Sequence, residues 1–282
     1  MIGQQQLKSR ITAIIGLNRV PRFCLFIGQD GSGKKCIMDW MSTELHKYGV
    51  CKHTMSYDNC KIEAVRNMID TAYELVDSTV FIMPDIQNMS AVAKNAILKI
   101  TEEPPNNAYF LMSVNSVDNV LDTLRSRAVV FNMQAYSKDE LQNYLNENGG
   151  LKLSEDQRSF ILNISNTIAD VGNLLKIDSK AFCDYMNLVF EQIAKVSGPN
   201  SFKMANKLAV KNEEDKYDLK LFFQAFQHLC LDHMIGVDNE EENKYFEGVK
   251  LASKALQDLQ ISGINKQMLI DEFILDIRKA WM

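Results

Sequence analysis

Two textures of apolar and polar positions succeed one another along the chain. In the first half, short apolar runs recur at 23–28 (FCLFIG), 79–85 (TVFIMPD), 109–115 (YFLMSVN) and 128–133 (AVVFNM). Each is too short for a helix and too continuous for a strand with one wet face. The pattern predicts strands of a parallel sheet, covered on both sides. Between them the period lengthens. A helix is expected over 32–48, leaving the first strand, and another over 61–76, with Ile62, Val65, Met68, Ile69 and Ala72 on one face. A third, 90–103, is stopped by Pro104 and Pro105. Strand alternating with helix predicts right-handed βαβ units.

From about residue 134 the pattern is helical throughout. Ser137 and Glu140 stand three apart, as in a capping box, and open a helix that Gly149 and Gly150 end. Further helices are expected at 155–164, 170–177, 181–196, 201–210, 218–235, 243–261 and 265–281, with acidic loops at 212–218 and 238–242. The stretch 219–235 is apolar nearly all round, which predicts a buried helix. Three domains follow as an expectation. Residues 1–134 form an α/β domain, 135–178 a small helical unit and 179–282 an all-α domain. That count suits 282 residues.

Composition narrows the function classes. Lys and Arg number 31 against 36 Asp and Glu, a net charge of −5, so bulk charge would not hold nucleic acid. Lys203, Lys207 and Lys211 could share a helix face, but three cations make a thin patch and read as a solvated face. The six cysteines (24, 36, 51, 60, 183, 230) contain no CxxC pair and read as reduced thiols. Cys51, His53 and Cys60 are too few and too unevenly spaced for a closed tetrahedral site, so no zinc or other metal is expected. His228 and His233 read as structural. The polar opening MIGQQQLKSR is unlike a signal peptide, and no apolar run is long enough for a bilayer. The expectation is a cytoplasmic protein with no membrane partner.

The strongest chemical signal is Gly28-Gln29-Asp30-Gly31-Ser32-Gly33-Lys34-Lys35, between an expected strand and helix. Gly28, Gly31 and Gly33 would let backbone N–H groups turn toward phosphate. Ser32 lies within the loop, the helix start adds partial positive charge, and Lys34 supplies a full one. The next position commonly holds Ser or Thr to ligate Mg²⁺; here it is Lys35. An acid for the same cation would come at the end of a later strand, where Asp85 stands. The alternatives are a Gly-rich turn and, for Asp85, an ordinary turn aspartate.

Further motifs carry a family resemblance. Asn95-Ala96-Ile97-Leu98-Lys99-Ile100-Thr101-Glu102-Glu103-Pro104-Pro105 resembles the NALLKxLEEPP segment of bacterial clamp-loader subunits. The strand 110–115, ending at Asn115, resembles their sensor 1 strand, and Ser126-Arg127-Ala128 their SRC motif. Ile2-Gly3-Gln4 followed by Pro21-Arg22-Phe23 resembles their opening. The matches run in order over about 1–134 and identify a member of the AAA+ clamp-loader family, most similar to its delta-prime branch. The resemblance implies a RecA-like AAA+ domain, a helical lid and a helical collar. It also implies partners: motor subunits (gamma/tau), a delta subunit, the sliding clamp and, through the complex, primed DNA. It assigns Arg127 as an arginine finger acting in trans on a neighbour's ATP. Gly28, Gly31, Ser32, Gly33, Lys34, Lys35, Asp85 and Asn115 become a degenerate nucleotide site with, at most, vestigial ATP or ADP binding. Three departures from the family pattern argue against self-hydrolysis: Lys35, Ile86 in place of a water-orienting Glu, and no Lys or Arg in 165–175. The expected role is a non-hydrolysing stator. Its rivals are an ATP-hydrolysing gamma/tau-like motor and an unrelated P-loop NTPase.

Overall fold

The computed structural model describes residues 3–117, 120–193, 218–261 and 263–281. They form two compact units, 1–140 and 141–282. The first holds one sheet of five parallel strands, β1 (Phe23–Ile27), β2 (His53–Ser56), β3 (Thr79–Met83), β4 (Ala108–Val114) and β5 (Val129–Asn132), in the order β2-β3-β4-β1-β5. Such a sheet needs cover on both faces. Side chains alternate accordingly. Phe23, Leu25 and Ile27 point to a core shared with α3 (Ile62–Glu74), α4 (Ala91–Glu102) and Leu124 of α5 (Asp122–Arg125). Cys24 and Phe26 point to the opposite core, closed by α1 (Gln5–Gly16) and α2 (Lys34–Lys47). A stacked aromatic pair spans neighbouring strands on each face: Phe81–Phe110, centroids 5.3 Å apart, and Phe26–Phe131 at 5.1 Å.

Four strands and three helices lie where the apolar pattern predicts them, trimmed by a residue or two at the ends. Other elements, β2 and α1 among them, escaped it. Strand β2 (HTMS) pairs only with β3 and is largely exposed, so it lacks the apolar run of a central strand. Helix α1 buries Leu7, Ile11 and Ile15, a spacing of four hidden among polar residues.

The second unit is helical. α6 (Lys138–Glu147) begins just before it, with the expected box: Ser137 Oγ accepts from the Glu140 N–H, and Glu140 Oε2 accepts from the Ser137 N–H. Then follow α7 (Glu155–Ile164), α8 (Ile168–Lys176), α9 (Ser179–Ile193), α10 (Leu219–His233), α11 (Asn239–Asp258) and α12 (Lys266–Trp281). The expected helix 201–210 and Lys203, Lys207 and Lys211 lie outside the described residues. Residues 238–242 are not a loop, as expected, but the start of α11. The Asp238 carboxylate caps it, and Glu240, Glu241 and Glu242 sit in its first turn, where the helix dipole favours acids. The all-round burial expected of 219–235 holds for Leu221, Phe222, Phe223, Phe226 and Leu229, but Leu231 and Ile235 are exposed. Phe190, Phe226, Tyr245, Trp281 and His233 form one aromatic cluster, and His233 Nδ1 lies 2.8 Å from the Leu229 carbonyl oxygen. Among the described residues no helix is long and apolar enough to cross a membrane.

Among the described residues of this unit, Asp170 is the buried charge. The Asp170 carboxylate accepts from the N–H groups of Asn166 and Thr167, from Lys220 Nζ at 2.7 Å and from Gln224 Nε2. Removing one partner of a buried pair strands the other. Asp170→Ala is expected to cost ~3–5 kcal/mol, read as a lowered denaturation midpoint in urea; an unchanged midpoint would refute the assignment. Burial pushes the Cys24 and Cys230 thiols up to about 12. Their reactive thiolate is therefore scarce at pH 8, and a disulfide reagent is expected to label exposed Cys36 first, reaching Cys24 and Cys230 only on unfolding.

Candidate functional site

Parallel pairing builds the site. β1 and β4 run side by side with Ile27 opposite Val114, so the residues that follow, Gly28 and Asn115, leave the sheet together. The Gly28 N–H donates to the Val114 carbonyl. Gly31 (φ 83°) and Gly33 (φ 86°) take left-handed backbone that L side chains resist, and α2 starts at Lys34. A Cβ on Gly28 would lie 2.6 Å from Met133 Cβ, so only glycine fits.

Lys34 is buried, and its ammonium is turned into the loop. Nζ donates to the carbonyl oxygens of Gly28 (2.7 Å) and Gln29 (3.2 Å) and to Asn115 Oδ1 (2.8 Å), with Asp30 Oδ1 3.7 Å away. Ser32 is 4% exposed, and its Oγ is buried with no hydrogen-bond partner among the described residues. The loop is pinned from behind. Tyr136 Oη donates to the Ser32 carbonyl at 3.0 Å, and burial pushes the Tyr136 phenol up. The Gln4 carboxamide exchanges two hydrogen bonds with the Gln134 backbone. A glycine-rich cradle, a helix start, an ammonium and an unpartnered buried hydroxyl together suit phosphate oxygens.

The divalent cation of such loops fits poorly. Lys35 replaces the ligating hydroxyl and points to Asp58, Nζ to Oδ1 3.1 Å, with both side chains largely exposed. An ammonium in that position competes with the metal it would neighbour. Asp85 lies beyond β3 in left-handed backbone (φ 56°). Its N–H donates to Ser113 Oγ, and Oδ1 accepts from Gln87 Nε2 at 3.4 Å. It lines a cleft of about 540 Å³ with Asp58, Cys60, Lys61, Asn88 and Ser90. Gly28, Ser32, Lys34 and Asn115 thus share one focus, while Lys35 and Asp85 turn to other partners.

The three zinc-type residues are not brought together. Cys51 is buried and Cys60 Sγ donates to the Pro84 carbonyl at 3.0 Å; burial pushes both thiols up to about 11. His53 lies on edge strand β2, with Nε2 3.6 Å from Asp77 Oδ2. No group of three His, Cys, Asp or Glu among the described residues could hold a metal ion.

Arg127 stands between α5 and β5, with its side chain 31% exposed. One terminal nitrogen donates to the Thr123 carbonyl at 2.5 Å and the other to Glu102 Oε1 at 2.7 Å. The guanidinium is tethered on the surface, not folded into the core. The motif reading named Arg127 but missed Glu102. The signal lay in the EEPP segment itself, whose first acid, Glu102, ends α4.

A family model described as DNA polymerase III, delta subunit, matches residues 50–137. The DNA polymerase III subunit gamma of Buchnera aphidicola subsp. Schizaphis graminum is 24% identical over 205 residues, covering 62% of this chain and 56% of that protein. The subunit delta' of Buchnera aphidicola subsp. Baizongia pistaciae is 30% identical over 114 residues, 39% of this chain and 32% of that one. The chain therefore spans between about a quarter and just over half the length of the curated relatives it matches. In fold it is similar to the RuvB Holliday junction branch migration motor of Thermotoga maritima, with a TM-score of 0.51 at 15% identity over 95% of this chain and 80% of that one. Together these comparisons make the chain similar to DNA polymerase III subunits of the gamma and delta' kinds, in keeping with its parallel sheet and ordered motifs.

Proposed function

We propose that the chain is a subunit of a DNA polymerase III clamp loader and serves in that hetero-oligomer as the non-hydrolysing, delta-prime-type stator. Arg127 then acts as the arginine finger for ATP held by a neighbouring gamma- or tau-type motor subunit. A guanidinium at the γ-phosphate stabilises the charge that develops in phosphoryl transfer. The assembly, with a delta subunit, loads the sliding clamp onto primed DNA in replication. Residues 135–178 serve as lid and 179–282 as collar, and a cytoplasmic location suits the role. The observation that carries this reading is a contrast within one domain. Arg127 is exposed and charged at the surface, while the chain's own loop has Lys35, tied to Asp58, where a metal-ligating hydroxyl would stand. Ile86 in the water-orienting position agrees with it.

The second reading is a gamma/tau-like motor. It is favoured by the intact glycine geometry and by Lys34 meeting Asn115. Nucleotide chemistry separates the two. Titrated with a fluorescent ATP analogue, the stator is expected to bind weakly or not at all and to release no phosphate alone; brisk hydrolysis by the isolated chain would overturn the reading. Lys35→Thr supplies the hydroxyl that commonly ligates Mg²⁺ at this position and is expected to strengthen Mg-ATP binding about tenfold or more. In the reconstituted clamp loader, Arg127→Ala is expected to slow ATP turnover at the neighbouring site by about 10³-fold, with assembly intact by gel filtration. Unchanged DNA-stimulated ATPase and clamp loading would remove the finger assignment.

A further inference from the structure

We infer that Glu102 is a positioning residue for Arg127, aiming its guanidinium outward from the surface. The inference rests on the arginine-finger reading above. Glu102 is the last residue of α4, and its place is fixed by the core beneath it. Ile97 and Ile100 are buried, and Thr101 Oγ1 donates back to the Ile97 and Leu98 carbonyls. Ser90 caps the helix start by accepting from the Ala93 N–H, and Pro104 and Pro105 prevent its extension. The carboxylate nevertheless projects into solvent, 54% exposed.

The guanidinium is therefore held at two points by two anchored elements. The Thr123 carbonyl comes from α5, whose Leu124 is buried in the same core as Ile97 and Ile100. Glu102 comes from α4. Arginine has five N–H donors. Two are used here, and 5 − 2 leaves three for an incoming anion. A half-exposed ion pair adds little to fold stability. Its consequence is geometric: it removes side-chain freedom that a finger must otherwise lose at the moment of reaction. Glu103, adjacent and also exposed, carries the same charge but makes no ion pair with Arg127, and so provides the control.

The test uses the reconstituted clamp loader with clamp and primed DNA, measuring kcat and the KM for ATP separately. Glu102→Ala is expected to lower kcat about tenfold with KM unchanged, since small misplacements of a reacting group can cost up to about 10²-fold. Glu102→Gln keeps the accepting oxygen and is expected to restore kcat to within about threefold of the parent. Glu103→Ala is expected to leave both constants alone. Combined with Arg127→Ala, the Glu102→Ala change is expected to cause no further loss, because it acts through Arg127. If Glu102→Ala hinders assembly, Glu102→Asp, shorter by one carbon, supplies the same comparison. Parental kcat in Glu102→Ala beside a large loss in Arg127→Ala would overturn the positioning role and leave the finger standing. An added loss in the double variant would also overturn it. No loss in Arg127→Ala itself would overturn the finger reading and this inference together.

Discussion

The pairing of β1 with β4 is the constraint from which the site follows. Adjacent parallel strands end at the same edge of the sheet, so Ile27 against Val114 commits Gly28 and Asn115 to be neighbours although 87 positions separate them in sequence (115 − 28). Ligand sites in open α/β sheets form at such carboxyl ends. Once the strands are in register, the loop has little freedom left. Met133 closes on Gly28 from β5's side, Tyr136 ties the Ser32 carbonyl, and Lys34 draws in the Gly28 and Gln29 carbonyls.

Charge is arranged differently at the two candidate positions, and burial decides the consequence. Lys34 is buried, so its ammonium must be satisfied, and loop carbonyls and Asn115 satisfy it. A phosphate entering the loop would have to displace or share those acceptors. Arg127 is on the surface, where Glu102 and the Thr123 carbonyl take up two of its N–H donors and leave the others for a further acceptor. The same kind of contact therefore closes one position and leaves the other available.

Much of this was legible in the sequence. Four strands, β1, β3, β4 and β5, announced themselves through unbroken apolar runs, because the sheet is covered on both faces and no polar alternation is needed. β2 did not, since an edge strand with exposed His53, Thr54 and Ser56 carries no such signal. Likewise 238–242 read as a loop because acids are poor evidence for a helix interior, although they favour its first turn. At the site, glycine spacing located the loop, and motif order located Asn115 and Arg127. The partners of Lys35 and Arg127 were not readable. Asp58 and Glu102 lie 23 and 25 positions away, and only the packing of β2 and α4 brings them close.

α4 is capped by Ser90, which lines the same cleft as Asp85, and ends at Glu102, which pairs with Arg127. Its 12 residues make a rod of about 18 Å. Its inner face is locked into the sheet core through Ala93, Ile97 and Ile100. A rod packed in this way transmits displacement but does not bend, because close-packed interiors resist compression. Lys35 is not part of this inner face. The support for Arg127 thus depends on the packed core beneath α4 rather than on the residues of the glycine-rich loop.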